Sequence, residues 1–379
     1  MNLVFIIENG KVIGGGDYAQ FKYAEYLSKL GHNVAIFAAN YNKLLEDIPK
    51  RSNLRIWFRH EIPKFVKGIG RVNKLWNKLY TRFYVDKYVR DNANHIDYII
   101  GYLRESAIKA ETLGKKYRIR VVNFIFENPE WMKHQLGQRF LNEYKGKFKK
   151  SWEATKEVYL RTDILIPNSQ LTRKKCEMWL NRKIDEHIYP GVEAIELNNG
   201  IEEENQIIYT GRLNEYKNVN EIIEALSKSE ANAKLVVVGS GEEESKLRSL
   251  AKKLKVNCEF KGNLTDSQKF EEIQKSMFMV FPSSFEGFGM PPAEALICGK
   301  PCICSDLGIF KEVYKDKVEY FKEHDIQDLS NKILFLTSNQ RYRKKRGLEG
   351  RKYVMSNFTW QKSAKKIEGL LKGHLRNGN

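Results

Sequence analysis

The sequence predicts an α/β fold made of two doubly wound domains, each with a parallel sheet and helices on both faces. Three observations carry this. A strand, a glycine turn, a helix and a second strand follow one another within the first 39 residues. The same alternation begins again after residue 205. The chain of 379 residues is also too long for a single ordinary core.

The elements follow in order. LVFIIE (3–8) is a short apolar strand that enters the turn NGKVIGGG, and a helix runs from about Tyr18 to Leu30 with Phe21, Tyr23, Ala24 and Leu27 on its apolar side. Gly31 stops that helix and NVAIFAA forms the next strand. DYIIGY (97–102), VVNFIF (121–126) and ILIPNS (164–169) read as further strands of the same sheet. The segment 189–205, YPGVEAIELNNGIEEEN, has the Gly, Asn and Glu content of a hinge, so domains are expected at 1–190 and 191–359. In the second array NQIIYTGRL (205–213) is a strand and NVNEIIEALSKS a helix. AKLVVVGSG (233–241) is a strand, followed by a helix near 243–254. The strands CEFKGNL (258–264), MFMVFPSS (277–284) and PCICSD (301–306) complete it, and the last 40 or so residues read as helical.

Composition narrows the function classes. Hydrophobic residues make up 42% of the chain, enough for real cores, and no apolar run approaches the ~18 residues of a membrane span. MNLVFIIENG lacks a basic segment ahead of its apolar run, so a cytoplasmic protein is expected. The five cysteines show neither CxxC pairs nor His partners, which argues for reduced thiols rather than a zinc site. The net charge of +18 is uneven: residues 1–190 hold 35 Lys and Arg against 20 Asp and Glu, and the rest hold 30 against 27. Residues 50–90 alone carry twelve basic and two acidic side chains interleaved with Trp57, Phe58, Phe65, Trp76, Tyr80, Phe83 and Tyr84. That mixture fits an anionic membrane surface or nucleic acid, while a solvated face whose lysine stems cover apolar surface is the plainer alternative.

The chemistry concentrates at strand ends, where open α/β sheets bind ligands. Gly14, Gly15 and Gly16 sit between the first strand and the first helix, where backbone can approach an anion at a helix N-terminus. They do not complete a GxGxxG fingerprint, and taken alone they fit a flexible turn equally well. TGRLNEYKN (210–218) places Arg212 and Lys217 just after a strand, with Gly211 clearing room, as a clamp for a diphosphate would. In SSFEGFGMPPAEALICGKP (283–301), a glycine turn separates Glu286 from Glu294, and Pro291 and Pro292 suit the first turn of a helix. Glu294 is read here as lying in that first turn and pointing back toward the ligand.

GGG near the N-terminus, YPGVE (189–193), TGRLNEYKN, VVVGSGEEESKL (236–247) and the E-x7-E pair Glu286/Glu294 occur in an order that resembles the family 4 retaining glycosyltransferases of the GT-B fold. The resemblance extends over nearly the whole chain. It implies two Rossmann-like domains facing a central cleft, with acceptor binding in the first and nucleotide-sugar binding in the second. A closing helix, about 360–379, would pack back on the first domain. It implies Arg212 and Lys217 on the donor diphosphate, Glu286 beside the donor sugar and Glu294 on ribose hydroxyls. Phe288, Gly289 and Met290 would offer main-chain contacts, Gly262 and Asn263 would lie near the base, and Gly15 and Gly16 would approach the diphosphate. Many relatives carry a histidine after the strand matching VVNFIF. Here Glu127 and Asn128 stand in its place, facing the sugar or only capping the turn before Pro129.

The expected activity is transfer of a sugar from a UDP- or GDP-sugar to an acceptor hydroxyl, without cofactor or metal, since no DxD pair is present. The expected acceptor is a lipid-linked saccharide or glycolipid at the inner membrane face. A sugar phosphorylase or nucleotide-sugar epimerase is the alternative within the fold. A basic nucleic-acid-binding protein would leave the E-x7-E pair and the glycine turns without a role.

Overall fold

The structure, a computed structural model, describes residues 1–7, 15–38, 53–58, 84–126, 147–197 and 205–376. The chain divides into two compact units. One takes in Met1–Glu130, Gln138–Tyr189 and Trp360–Asn379, and the other is built on Pro190–Thr359.

In the first unit β1 (Asn2–Ile7), β2 (Asn33–Ala38), β3 (Leu54–Phe58), β4 (Tyr98–Tyr102), β5 (Arg120–Ile125) and β6 (Ile164–Pro167) form a parallel sheet in the order β3-β2-β1-β4-β5-β6. Its inner strands are near-continuous apolar runs because both faces are covered. Val4, Ile6, Ile99 and Val121 belong to one buried cluster with Phe37. The helix Gly15–Lys29 returns the chain from β1 to β2, and the helix Leu103–Tyr117 ends where Arg118 takes a left-handed conformation and donates its N–H to the Gly114 carbonyl. The helix Gln170–Leu180 starts at Ser169, whose hydroxyl accepts the Thr172 N–H.

β3 departs from the sequence reading. Residues 54–58 lie in the basic, aromatic stretch assigned to a membrane surface, yet they extend the sheet, pairing in parallel with β2 from Leu54 to Phe58. Trp57 stacks on Phe37 at 4.9 Å and lies 5.1 Å from the Tyr88 ring, so this indole is spent inside the fold. Arg55 and the basic residues of the surrounding sequence hid the strand in the composition. Tyr84 is exposed, and Phe65, Trp76, Tyr80 and Phe83 lie outside the described residues.

The second unit repeats the plan. β7 (Gln206–Thr210), β8 (Lys234–Val238), β9 (Cys258–Gly262), β10 (Phe278–Phe281), β11 (Cys302–Ser305) and β12 (Glu319–Phe321) are ordered β12-β11-β10-β7-β8-β9. Renumbered within each unit, the two orders are the same, 3-2-1-4-5-6. In each, the chain reverses its direction of winding between the first strand and the fourth, which is where such sheets open a crevice. Those pairs are β1/β4 and β7/β10. β12, three residues long, was not visible in the sequence.

The C-terminal helix Trp360–Arg376 is part of the first unit. The Tyr98 hydroxyl donates to the Leu371 carbonyl at 2.9 Å, and Ser363 Oγ donates to the Tyr189 carbonyl at 2.7 Å. Trp360, 1% exposed, meets Tyr23 edge-on at 5.5 Å and Tyr18 at 5.9 Å. Trp360→Ala should therefore lower the stability of this unit by about 3–5 kcal/mol, the range for losing a buried aromatic. Urea unfolding followed by circular dichroism checks this, and an unchanged midpoint would contradict the packing described.

Candidate functional site

The second unit assembles its site at the carboxyl edge of β7, β8, β9 and β10. Backbone hydrogen bonds lace the loops that leave these strands. Gly211 N–H donates to the Val238 carbonyl and Leu213 N–H to the Ser240 carbonyl, both at 3.0 Å, and Gly239 N–H donates to the Gly262 carbonyl at 2.7 Å. The approach is close enough to exclude side chains: a Cβ on Gly239 (φ +129°) would stand 1.9 Å from the Gly211 carbonyl oxygen. The glycines of TGRL and VVVGSG thus let two loops touch, which is a structural use beyond the room for a ligand that the sequence suggested. Asn263 joins the same edge, with its Oδ1 accepting from Ser240 Oγ at 3.2 Å.

Lys217 is the centre of this edge. It ends a short 3-10 turn, Glu215–Lys217, after β7, and is only 7% exposed. Its ammonium is hydrogen-bonded to Glu286 Oε1 and lies over the rings of Tyr216 at 4.9 Å and Phe281 at 5.2 Å. Asn218 follows in a left-handed conformation (φ +50°), and its side-chain amide donates to the Pro282 carbonyl at 3.0 Å and to Ser284 Oγ. Ser284 N–H returns a bond to the Tyr216 carbonyl at 2.9 Å. The loops after β7 and β10 are therefore sewn together across the switch point. Arg212 differs from Lys217 in being exposed. Its backbone carbonyl accepts from the Tyr209 hydroxyl at 2.8 Å and its guanidinium donates to Tyr216 Oη at 2.9 Å.

The turn after β10 leads to the helix Met290–Ile297 with Gly289 (φ +83°) as its N-cap and the prolines in its first turn, as expected. A Cβ at Gly289 would stand 2.5 Å from Phe310 Cε1, and the Gly289 carbonyl accepts from the buried Tyr314 hydroxyl. Phe288 is 3% exposed and packs on Phe358 and Tyr314, so its side chain anchors the turn from below. Glu294 lies one turn deeper in the helix than the sequence reading put it, since no acidic residue occupies the first turn. That position removes simple helix-dipole capping as its reason. Glu294 is 6% exposed, and its Oε1 accepts from Lys269 Nζ at 2.8 Å. Lys269 also donates to Asp266 Oδ1 at 3.0 Å. Burial works against the ammonium of Lys269, but the carboxylates of Glu294 and Asp266 outweigh it and hold its pKa above the ordinary lysine value.

Lys269 and Asn218 were missed by sequence reasoning. Both belong to motifs that give no local hint of their partners, which lie 25 and 66 residues away. The N-terminal unit carries Gly15 and Gly16 at the start of the helix after β1, with Gly16 beside Phe126 and Tyr102. The next residue, Asp17, is 4% exposed and accepts a hydrogen bond from the Tyr102 hydroxyl at the end of β4. Glu127 and Asn128 lie outside the described residues. Among the described residues no group of three His, Cys, Asp or Glu side chains is placed to hold a metal ion, and no helix is long and apolar enough to cross a membrane. The five cysteines are free, with Cys302 and Cys304 Sγ atoms 3.5 Å apart within β11.

Residues 193–353 match the model for glycosyl transferases group 1. An uncharacterized glycosyltransferase of Methanocaldococcus jannaschii is 25% identical over 94% of both chains. The N-acetylgalactosamine-N,N'-diacetylbacillosaminyl-diphospho-undecaprenol 4-alpha-N-acetylgalactosaminyltransferase of Campylobacter jejuni is 29% identical over 53% of this chain and 54% of its own length. Among solved structures, Anabaena HepE in complex with UDP and glucose superposes with a TM-score of 0.77 at 16% identity, covering 98% of this chain and 99% of its own. At that identity the likeness shows the fold alone, and the two-domain α/β architecture expected from the sequence is borne out.

The helix Val219–Lys228, which follows Lys217 directly, carries a titrating contact of its own. Glu221, 5% exposed, lies 2.6 Å from His324 Nδ1, and Glu323 approaches the other ring nitrogen at 3.5 Å. The hydrogen bond to Glu221 raises the His324 pKa. Burial raises that of Glu221, against the lowering pull of His324. Both groups hold protons more tightly folded than unfolded, so stability falls as pH rises. The His324 contribution is complete below about pH 6.5, the unfolded value, and is lost as pH climbs through the folded one. The stability gap between the parent protein and His324→Gln, read from denaturation midpoints, should therefore be largest below about pH 6.5 and shrink as pH rises above it. A gap between parent and variant that does not change with pH would refute the contact.

Proposed function

We propose that the chain is a glycosyltransferase that moves a sugar, with retention of anomeric configuration, from a UDP- or GDP-sugar to an acceptor hydroxyl; the match of residues 193–353 to glycosyl transferases group 1 and the full-length likeness to the Methanocaldococcus relative support this reading. The observation that carries this reading is the cationic edge at β7/β10: a buried lysine paired with Glu286, next to the exposed guanidinium of Arg212.

The chemistry follows from where charge develops. As the bond between the anomeric carbon and the donor oxygen breaks, its electron pair goes to the terminal phosphate of the nucleoside diphosphate. Arg212 and Lys217 meet that charge without a metal ion, Arg212 as a planar fork and Lys217 as a point charge. The acceptor oxygen bonds to the anomeric carbon on the same face, and its proton passes to the leaving phosphate. Lys217 cannot serve the phosphate fully while tied to Glu286. Donor binding accordingly draws the ammonium toward phosphate and frees the Glu286 carboxylate for sugar hydroxyls and for the positive charge growing on the ring. The Gly289–Met290 turn contributes backbone, and Glu294 receives the ribose.

The acceptor we assign is a saccharide on a lipid carrier at the membrane face. The basic balance of residues 1–190 supports it, and the lipid-diphosphate acceptor in the name of the Campylobacter relative is compatible with it. Flotation with vesicles should then show preference for anionic over neutral lipid, falling with salt; equal binding to both would remove the membrane part.

A thermal-shift screen of UDP-, GDP- and ADP-sugars with and without EDTA tests the donor reading. One UDP- or GDP-sugar should stabilise the protein equally in both conditions. Arg212→Ala and Glu286→Gln should each lower kcat by roughly 10²–10³-fold, the range for losing one transition-state stabilising group, while leaving the circular dichroism spectrum unchanged. Sugar release from a disaccharide by inorganic phosphate alone, with no response to nucleotide sugars, would favour a phosphorylase instead.

A further inference from the structure

We infer that Lys269 is a positioning residue for the nucleotide ribose, and that it makes the site discriminate ribonucleotides from 2′-deoxyribonucleotides. The inference rests on the reading of Glu294 as the ribose acceptor.

Glu294 is almost wholly inside the protein, yet a carboxylate there needs a charged or hydrogen-bonding partner. Lys269 is the partner, and it takes one oxygen only: Oε1 accepts the ammonium at 2.8 Å, whereas no hydrogen bond reaches Oε2 from any described residue. One oxygen is thus spent on fixing the group and the other is left as an acceptor. A vicinal diol supplies two adjacent O–H donors, the remaining oxygen has two lone pairs to receive them, and bonds to a charged acceptor are the strong ones.

Lys269 is itself held. It stands on the helix Asp266–Lys275, whose start is fixed by a capping box in which Thr265 and Gln268 satisfy each other's backbone N–H groups. Asp266, one turn earlier on the same face, takes another ammonium proton at 3.0 Å, and the Phe270 ring lies 5.1 Å from Nζ. This helix follows β9 and the Gly262–Asn263 loop, so the segment expected near the base also carries the lysine that orients the ribose acceptor. Lys269 touches neither the diphosphate clamp nor Glu286. Its loss should alter how the ribose is read and leave the sugar-transfer chemistry in place.

The test is calorimetric binding of UDP and 2′-deoxy-UDP, and of GDP and 2′-deoxy-GDP, to the full chain. It is followed by kcat and KM with the donor that binds. The parent protein should prefer its ribonucleotide by about 100-fold, as expected for a lost hydrogen bond to a charged group. Lys269→Met should weaken the ribonucleotide by about 30–100-fold and the deoxynucleotide far less, so that the preference falls below roughly tenfold. The cost should appear in KM and not in kcat. Lys269→Arg should restore most of the preference. Asp266→Asn, which loosens Lys269 without unpairing Glu294, should give an intermediate value and guards against a Lys269→Met protein that fails to fold. A Lys269→Met or Asp266→Asn protein with the full parental preference overturns the inference while leaving the donor reading intact. A parent protein that binds neither diphosphate overturns the donor reading, and one that binds ribo and deoxy forms equally removes the ribose role of Glu294.

Discussion

A lysine taken almost entirely out of water must be paired, and in the second unit that requirement falls on Lys217 and Glu286. The two residues are 69 positions apart in sequence and are brought together because β7 and β10 are neighbours in the sheet. Unpairing such a contact leaves a charge in a poor solvent and typically costs about 3–5 kcal/mol. The surrounding bonds make sense as devices for holding it. Asn218 turns left-handed so that its amide can tie down the strand end at Pro282 and Ser284, and Ser284 bonds back to Tyr216. Phe281 and Tyr216 supply ring faces to the ammonium. The glycines of the β7 and β8 loops let these segments lie flush beside it.

The repeated strand order explains why the pair sits where it does. A sheet wound outward in both directions from β7 and β10 leaves the loops after those two strands diverging, one toward the Val219–Lys228 helix and the other toward Met290–Ile297. Side chains at the base of the divergence face one another, and helix N-termini flank them. On the proposed reading, an anion arriving there meets Arg212, Lys217 and these helix N-termini.

Much of this was legible in the sequence because it depends on local rules. Parallel strands buried on both faces read as apolar runs, glycines mark the loops that must touch, and paired prolines announce the helix after Gly289. What was not legible depends on distance through the fold. Nothing in TDSQKF reveals that Lys269 will reach Glu294, because helix and acid meet only once β9 has taken the sheet edge and β10 its place beside β7. Glu294 was placed in the first helical turn because the prolines suggested where the helix begins, whereas Gly289 and Met290 set its start. β3 was lost because its exposed Arg55, set in a basic stretch of sequence, looks like part of a charged surface, and its indole was assigned to a membrane when it stacks on Phe37.

The two acids of the E-x7-E motif emerge with opposite relationships to their lysines. Lys217 stands over aromatic rings and shares no second carboxylate in the described site, so a diphosphate can compete for it on favourable terms. Lys269 is held by two carboxylates, Glu294 at 2.8 Å and Asp266 at 3.0 Å. A ligand would have to displace both, and the ribose offers only neutral hydroxyls. The first pair is therefore built to exchange partners and the second to stay as it is. On the proposed reading that division matches the demands of the reaction: charge must move at the diphosphate and sugar during transfer, while the nucleoside end only has to remain where it was bound.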